Sequence, residues 1–171
     1  FPFVQDRDEA ARAVAATRYP PDGVRGMAGM SRASRFGTTP DFLRGANRTI
    51  GVVVQLETPQ AIERLEQIAA VPGVDALFVG PGDLSGSMGH VGNTVHPDVM
   101  AAMAAAARRA HAIGKPVGTV GGTAEVVARY REIGYDYVAI ASDLGLLMRA
   151  AQGAVQALRA TPAGARIEGS Y

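Results

Sequence analysis

Two short apolar stretches of the chain each end in an acidic residue that is followed by the start of a helix. The first covers residues 52–57 (VVVQLE), and the second covers residues 74–83 (VDALFVGPGD). Runs of this length that are rich in β-branched residues are typical of strands buried in a parallel sheet. In α/β barrels the carboxyl ends of such strands carry the catalytic residues. We therefore predict that Glu57 and Asp83 lie at neighbouring strand ends, where two carboxylates can share one divalent cation.

The residues around these two carboxylates allow more than one interpretation. Adjacent parallel strands lie roughly 4.8 Å apart, so both carboxylates can reach one ion, but each can instead cap a helix or pair with an arginine. The turn at residues 80–83 (GPGD) either presents free amides to an anion or is a plain strand-to-helix turn. Gln55 either points into the mouth of a barrel or bonds only to backbone.

The order of predicted elements restricts the fold further. Strands are predicted at residues 1–5, 50–56, 74–79, 116–120 and 137–141, and helices at residues 6–18, 40–47, 59–70, 97–113, 123–133 and 143–159. The remaining long segments, 24–39 and 84–95, are predicted loops. Strands that alternate with helices favour an α/β fold with a parallel sheet. Since a (β/α)₈ barrel has eight strands and typically about 250 residues, five strands predict a barrel present only from about the fourth strand onward.

The whole chain, residues 1–171, is predicted to be a single domain with an irregular tail from about residue 160. Its 17 basic and 16 acidic residues give a net charge of +1, which offers no electrostatic footprint for nucleic acid or an anionic membrane. No apolar stretch reaches the roughly 18 residues of a membrane-spanning helix, and no signal peptide is visible. The chain has no cysteine, which suits a reducing cytoplasm, so we expect a cytoplasmic protein.

A set of motifs lies in order along nearly the whole chain: RYPP at 18–21, GVRG at 23–26, SRASRF at 31–36, QLET at 55–58, GVDALFVGPGDLS at 73–85, MGHVGN at 88–93, HP at 96–97 and VAIASD at 138–143. With these motifs the chain resembles the HpcH/HpaI aldolase family. The resemblance implies a class II pyruvate aldolase on a TIM barrel of the pyruvate/phosphoenolpyruvate-binding type. Such enzymes are homo-oligomers, usually hexamers, that use Mg²⁺, Mn²⁺ or Co²⁺ to cleave 4-hydroxy-2-oxo acids into pyruvate and an aldehyde.

The resemblance also implies roles for individual residues. Glu57 and Asp83 match the family's metal ligands, and Gln55 matches a residue that contacts the pyruvate moiety. The backbone amides of Gly82 and Asp83 would hold the substrate carboxylate. Gly82 stands where the family usually has Ala or Ser, which loosens the turn but keeps its amide.

The family's catalytic base and its substrate-binding arginine have no match in this chain. The resemblance places both, a histidine and an arginine, upstream of the segment that matches Phe1. None of His90, His96 and His111 stands in the family's histidine motif. We therefore identify no catalytic residue here and expect little aldolase activity from this chain alone.

Two other functions stay open on the sequence. One is a carbon–carbon lyase related to citryl-CoA lyase, which would need a surface for coenzyme A. The other is a non-catalytic binding or assembly subunit, which the missing base favours and the retained Gln55, Glu57 and Asp83 disfavour. His96, just before Pro97, is predicted to cap a helix, while Met100 and Met103 are predicted to pack in a core or between subunits.

Overall fold

The structure is a computed structural model that describes residues 1–160, so the predicted tail lies outside the described residues. The strands are β1 (Val53–Leu56), β2 (Ala76–Val79), β3 (Val117–Val120) and β4 (Tyr137–Ala139). The helices are α1 (Arg7–Thr17), α2 (Phe42–Thr49), α3 (Pro59–Glu63), α4 (Leu65–Ala69), α5 (Pro81–Ser87), α6 (Pro97–Ala112), α7 (Ala124–Glu132) and α8 (Asp143–Ala160), with a 3₁₀ turn at Arg32–Ser34. Within the described residues the chain divides into two compact units, Phe1–Ala139 and a second that begins at Ile140.

The first unit is built on a parallel sheet in the order β1-β2-β3-β4. A helical segment connects each strand to the next, as the alternating sequence pattern predicts. Pairing in register places Gln55 beside Phe78 and Phe78 beside Gly118. Parallel neighbours with helical crossovers are the repeating unit of a (β/α)₈ barrel.

The two faces of this sheet differ in how far other parts of the chain cover them. One face carries fully buried aliphatic side chains that pack against apolar residues of α3, α4 and α6. They are those of Leu56, Leu77, Val79 and Val117. The other face carries Gln55, Phe78, Gly118 and Tyr137, and here Val53 is 40% and Tyr137 is 37% exposed. The main core of the unit therefore lies between the sheet and its helices. Met103, also fully buried, belongs to this core, as the sequence predicts.

The predicted first strand takes a less regular form. Residues 1–4 run beside β1: the Val4 N–H donates to the Gln55 carbonyl (3.1 Å), and the Gln55 N–H donates to the Phe1 carbonyl (2.8 Å). Phe3 has a positive φ of 56°, which interrupts a regular strand. Its N–H takes no part in the pairing with β1 and donates instead to the Glu57 carboxylate (2.8 Å).

Helix boundaries follow their capping residues closely. Asp6 accepts the Glu9 N–H (2.8 Å), and Thr58 accepts the Ala61 N–H (3.1 Å) with Pro59 in the first helical position. The predicted helix at 59–70 is in fact two short helices, because the backbone leaves the helical region at Arg64. The predicted loop at 84–95 begins later than expected, since residues 81–87 form α5.

The second unit contains α8 in its described part. Ser142 caps this helix by accepting the Gly145 N–H (3.0 Å). None of the α8 residues is buried. Within residues 1–160, no helix combines the length and apolar character needed to cross a membrane.

Candidate active site at the carboxyl ends of two strands

Glu57 lies directly after the last residue of β1, with its side chain only 3% exposed. One carboxylate oxygen, Oε2, accepts the Phe3 N–H at 2.8 Å. The other, Oε1, accepts the side-chain amide of Gln55 at 2.8 Å. Gln55 and Glu57 are two residues apart on one strand, so they project from the same face and can make this bond. The carboxylate is thereby fixed by two donors, and the sequence predicts neither of these hydrogen bonds.

Asp83 approaches from the neighbouring strand. It stands in the first turn of α5, which starts directly after β2, and its side chain is exposed. Pro81 occupies the first helical position, where its missing N–H costs nothing. Leu84, fully buried, anchors this helix to the core and so sets the direction in which Asp83 points.

The electrostatics of Glu57 show that the two carboxylates interact. Burial raises the pKa of Glu57 above its ordinary value, and the negative charge of Asp83 raises this pKa further. The donors on Phe3 and Gln55 act in the opposite direction, since they stabilise the charged form. Two carboxylates whose mutual repulsion raises a pKa favour a shared positive charge between them.

A glycine makes room for this arrangement. A Cβ atom built on Gly80 would lie 2.6 Å from both Gln55 Nε2 and Glu57 Oε1. A side chain at this position would therefore push the Gln55 and Glu57 side chains out of their present positions. A Cβ on Gly82, by contrast, has no atom within 4 Å. Open space therefore lies beside the turn at Gly82.

Ser87 forms a hydrogen-bonded link between α5 and the end of β1. Its hydroxyl bonds to the Asp83 carbonyl (2.8 Å) and to the Glu57 carbonyl (3.1 Å). This bond joins the end of α5 to the end of β1. Sequence analysis placed Ser87 in a loop and so gave no signal for it.

The predicted site residues are thus found at one edge of the sheet. Gln55 and Glu57 are in direct contact, and Asp83 is near enough to alter the Glu57 pKa. The amides of Gly82 and Asp83 belong to the first turn of α5, where a helix has no acceptors for its N–H groups.

The three histidines lie elsewhere. His96 caps α6 as predicted, by accepting the Asp98 N–H, and His90 is beside it. His111, near the end of α6, contacts Asp136 at 3.2 Å. The loop arginine Arg25 packs over the Tyr19 ring, with its guanidinium carbon 4.6 Å from the ring centroid.

The fold and the site together define a class: parallel βα units of a barrel, with an acidic pair at the carboxyl edge of the sheet. Within that class, residues 1–150 match the sequence profile of the HpcH/HpaI aldolase/citrate lyase family. The chain belongs to this family.

Individual relatives support the assignment. The chain is 47% identical over 170 residues to a 2-dehydro-3,6-dideoxy-6-sulfogluconate aldolase of Pseudomonas putida, an alignment that covers 99% of this chain and 67% of the relative. It is 46% identical to a 5-keto-4-deoxy-D-glucarate aldolase of Salmonella arizonae, covering 89% of this chain and 59% of that protein.

A solved structure shows the same architecture. An HpcH/HpaI aldolase/citrate lyase family protein from Burkholderia cenocepacia superposes with a TM-score of 0.81 at 44% identity, covering 94% of this chain and 64% of that one. The chain therefore spans about three-fifths to two-thirds of the length of these relatives, and its sheet corresponds to part of their barrel.

Proposed function

We propose that this chain carries the metal- and pyruvate-binding part of a class II aldolase, which cleaves a 4-hydroxy-2-oxo acid into pyruvate and an aldehyde. The observation that carries the proposal is the pairing of buried Glu57 with exposed Asp83 at adjacent strand ends. The aldolase names of relatives at 46–47% identity agree with it. Those relatives are longer than this chain, so the cleavage activity of the whole enzyme is part of what we propose.

The donor set fits a hard divalent cation. Glu57 and Asp83 offer carboxylate oxygens, the ligands that suit Mg²⁺ and Mn²⁺, and Co²⁺ is also compatible with them. Burial first, and then the neighbouring Asp83, raise the pKa of Glu57, and a bound cation would offset both effects by stabilising the charged carboxylates. When bound, the cation would stabilise the negative charge that develops on the 2-oxo group of the substrate.

The other residues of the site would orient the pyruvate moiety. Gln55 uses its NH₂ group to hold Glu57, which leaves its carbonyl oxygen and second N–H for a ligand. The first-turn N–H groups of Gly82 and Asp83 would donate hydrogen bonds to the substrate carboxylate. The open space beside Gly82 lets a ligand approach these amides closely.

The group that moves the proton is not assigned to any residue of this chain. His90 and His96 contact Asp98, and His111 contacts Asp136. We propose that the base and a substrate-binding arginine come from the part of the barrel that this chain does not span. A homo-oligomer, hexameric by family resemblance, and a cytoplasmic location remain predictions.

The names of the relatives also suggest a substrate class. Both describe acidic sugar derivatives, a sulfogluconate and a glucarate. We therefore propose an acidic, sugar-derived oxo acid as the substrate. A lyase that acts on a coenzyme A ester remains the alternative, and binding of coenzyme A would favour it.

The proposal is tested by ligand binding and turnover with the 171-residue chain. In the presence of Mn²⁺ we expect pyruvate and oxalate, which resembles the enolate of pyruvate, to bind to the wild type. We expect Glu57→Gln to abolish that binding, and cleavage of 4-hydroxy-2-oxo acids to be slow. If neither acid binds with or without Mn²⁺, the proposed function is wrong.

A further inference from the structure

A second group of metal-binding side chains lies away from Glu57 and Asp83. It consists of His90, His96 and Asp98, whose donor atoms all lie within 4.8 Å of one another. His90 Nε2 is 3.4 Å and His96 Nδ1 is 3.7 Å from Asp98 Oδ2. We propose that these three residues, which we call the HHD cluster, bind a transition-metal cation such as Zn²⁺, Ni²⁺ or Co²⁺.

The separations of the donor atoms support this inference. Zinc bonds to histidine nitrogen and carboxylate oxygen are about 2.0–2.2 Å long, so a tetrahedral site places its ligands about 3.3 Å apart. The two distances to Asp98 Oδ2 are close to that value. To bring the three donors onto one ion, both rings rotate, and His96 Nδ1 exchanges its hydrogen bond from the Asp98 N–H for the ion.

The backbone places the three residues together. Turns in the segment between α5 and α6 are closed by the Asn93 N–H bonding to the His90 carbonyl (2.9 Å) and the His96 N–H bonding to the Asn93 carbonyl (3.2 Å). The His90 and His96 rings stack with centroids 3.5 Å apart. Since the lone pairs of imidazole lie in the ring plane, the rings must turn out of this stack when they bind an ion.

The chemistry of the cluster differs from that of the acidic pair. Two imidazole nitrogens and one carboxylate favour Zn²⁺, Ni²⁺ and Co²⁺ over Mg²⁺, which prefers oxygen ligands. The N-terminal end of α6 is the positive end of its dipole, and the negative charge of Asp98 in the first turn offsets it. All three side chains are partly exposed, which gives an ion access from solvent.

A bound ion would fasten the glycine-rich segment 88–96 to the start of α6. This segment contains Gly89 and Gly92, both with positive φ, and directly follows α5, the helix that presents Asp83. The inferred role is therefore structural: it holds the connection that leaves the candidate active site. It does not depend on the proposed aldolase function.

The test is a Zn²⁺ titration of the full chain by calorimetry, in parallel with thermal unfolding and in excess Mg²⁺. His90→Phe keeps an aromatic ring for stacking, and His96→Asn keeps a good helix cap, so each removes a ligand with little structural loss. We expect one Zn²⁺ per chain for the wild type, and affinity at least tenfold weaker in each variant. The Zn²⁺-induced rise in unfolding temperature should shrink accordingly.

Two controls separate the HHD cluster from other sites. His111→Asn removes a histidine that also lies near a carboxylate, Asp136, and should leave Zn²⁺ binding unchanged. The Glu57→Gln, Asp83→Asn double variant should also keep it, whatever happens to pyruvate binding. If the His90 and His96 variants bind Zn²⁺ like the wild type, or if the double variant loses it, the HHD cluster is not the site.

Discussion

The two faces of the sheet differ in the kind of side chain that they carry and in how deeply those side chains are buried. On the helix-covered face, Leu56, Leu77 and Val117 are fully buried aliphatic residues. On the open face the same strands carry a glutamine, aromatic rings and a glycine, and just beyond the strand ends Glu57 and Gly80 continue this face. Because strand side chains alternate, each strand supplies both faces from successive residues.

This difference shows how one short sequence supports both stability and chemistry. The covered face stabilises the fold through its burial of apolar area. The open face instead leaves space, at Gly80 for the Glu57 carboxylate and at Gly118 for an aromatic ring. A Cβ on Gly118 would lie 2.0 Å from the Tyr137 ring, whose hydroxyl reaches across to the Leu77 carbonyl (2.7 Å). Glycine therefore marks positions on the open face where another group occupies the site of a side chain.

The largest effect should come from truncation on the covered face. Leu77→Ala removes a fully buried side chain and should lower the free energy of unfolding by about 2–5 kcal/mol. Val53→Ala, on the open face, is the matched control and should cost about 1 kcal/mol or less, since Val53 is 40% exposed. Urea denaturation of both variants measures the contrast. Equal losses would mean that the two faces are equally packed.

A smaller effect on stability is expected from a substitution at Gly80, which lies beside the Glu57 carboxylate on the open face. In Gly80→Ala the new methyl group would overlap Gln55 Nε2 and Glu57 Oε1, so we expect a loss of about 1–3 kcal/mol in stability and weaker Mn²⁺ binding. Gly82→Ala, two residues along, places its methyl group in open space and should leave both quantities nearly unchanged. A Gly80→Ala variant that binds Mn²⁺ normally would contradict the close packing described here.

The acidic pair should also make stability depend on pH. Because the pKa of Glu57 is raised in the folded state, folding favours its protonated form, and stability falls as pH rises from the unfolded-state pKa through the folded-state pKa. Each unit of the pKa difference corresponds to about 1.4 kcal/mol. Denaturation across this pH range, without divalent cation, measures the decline.

A variant that lacks the Asp83 charge shows how much of this pH dependence comes from the neighbouring carboxylate. Asp83→Asn should reduce the fall in stability with rising pH, since Asp83 raises the Glu57 pKa. Added Mg²⁺ should reduce it in the wild type as well, because a cation stabilises the charged carboxylates. A pH profile that is the same in wild type and variant would show that burial alone governs Glu57.

The smallest effect concerns the link between the two strand ends. Ser87→Ala removes one hydroxyl that bonds to the Asp83 and Glu57 carbonyls, so the expected cost is about 0.5–1.5 kcal/mol. Ser87→Thr keeps the hydroxyl and serves as the control. Thermal unfolding compares them, and identical unfolding temperatures for the alanine variant and the wild type would mean that this bond contributes nothing measurable.

Local patterns in the sequence predict much of this fold. The β-branched runs that end in Glu57 and before Asp83 identify β1 and β2. The helix starts predicted at residues 6, 59 and 123 lie within one residue of the observed starts. The same runs place both carboxylates near strand ends, because each carboxylate follows the last apolar residues of its run.

Other features depend on contacts between distant residues, and the sequence does not reveal them. The segment that forms α5 is rich in Gly and Ser, a composition that predicts a loop. Burial of Leu84 against the core stabilises the helix there. The Phe3 N–H reaches Glu57 across 54 positions of sequence. The HHD cluster likewise forms only once the turns after α5 bring His90 beside His96.

The most direct test of the account is the affinity of the full chain for Mn²⁺, measured by electron paramagnetic resonance. The account predicts one Mn²⁺ held by the acidic pair, with affinity at least tenfold weaker in Glu57→Gln and in Asp83→Asn. Asp8→Asn, which changes an exposed carboxylate in α1, and His90→Phe should both bind Mn²⁺ like the wild type. Equal affinity in the wild type and the two acidic-pair variants would contradict the central claim that Glu57 and Asp83 form a metal site.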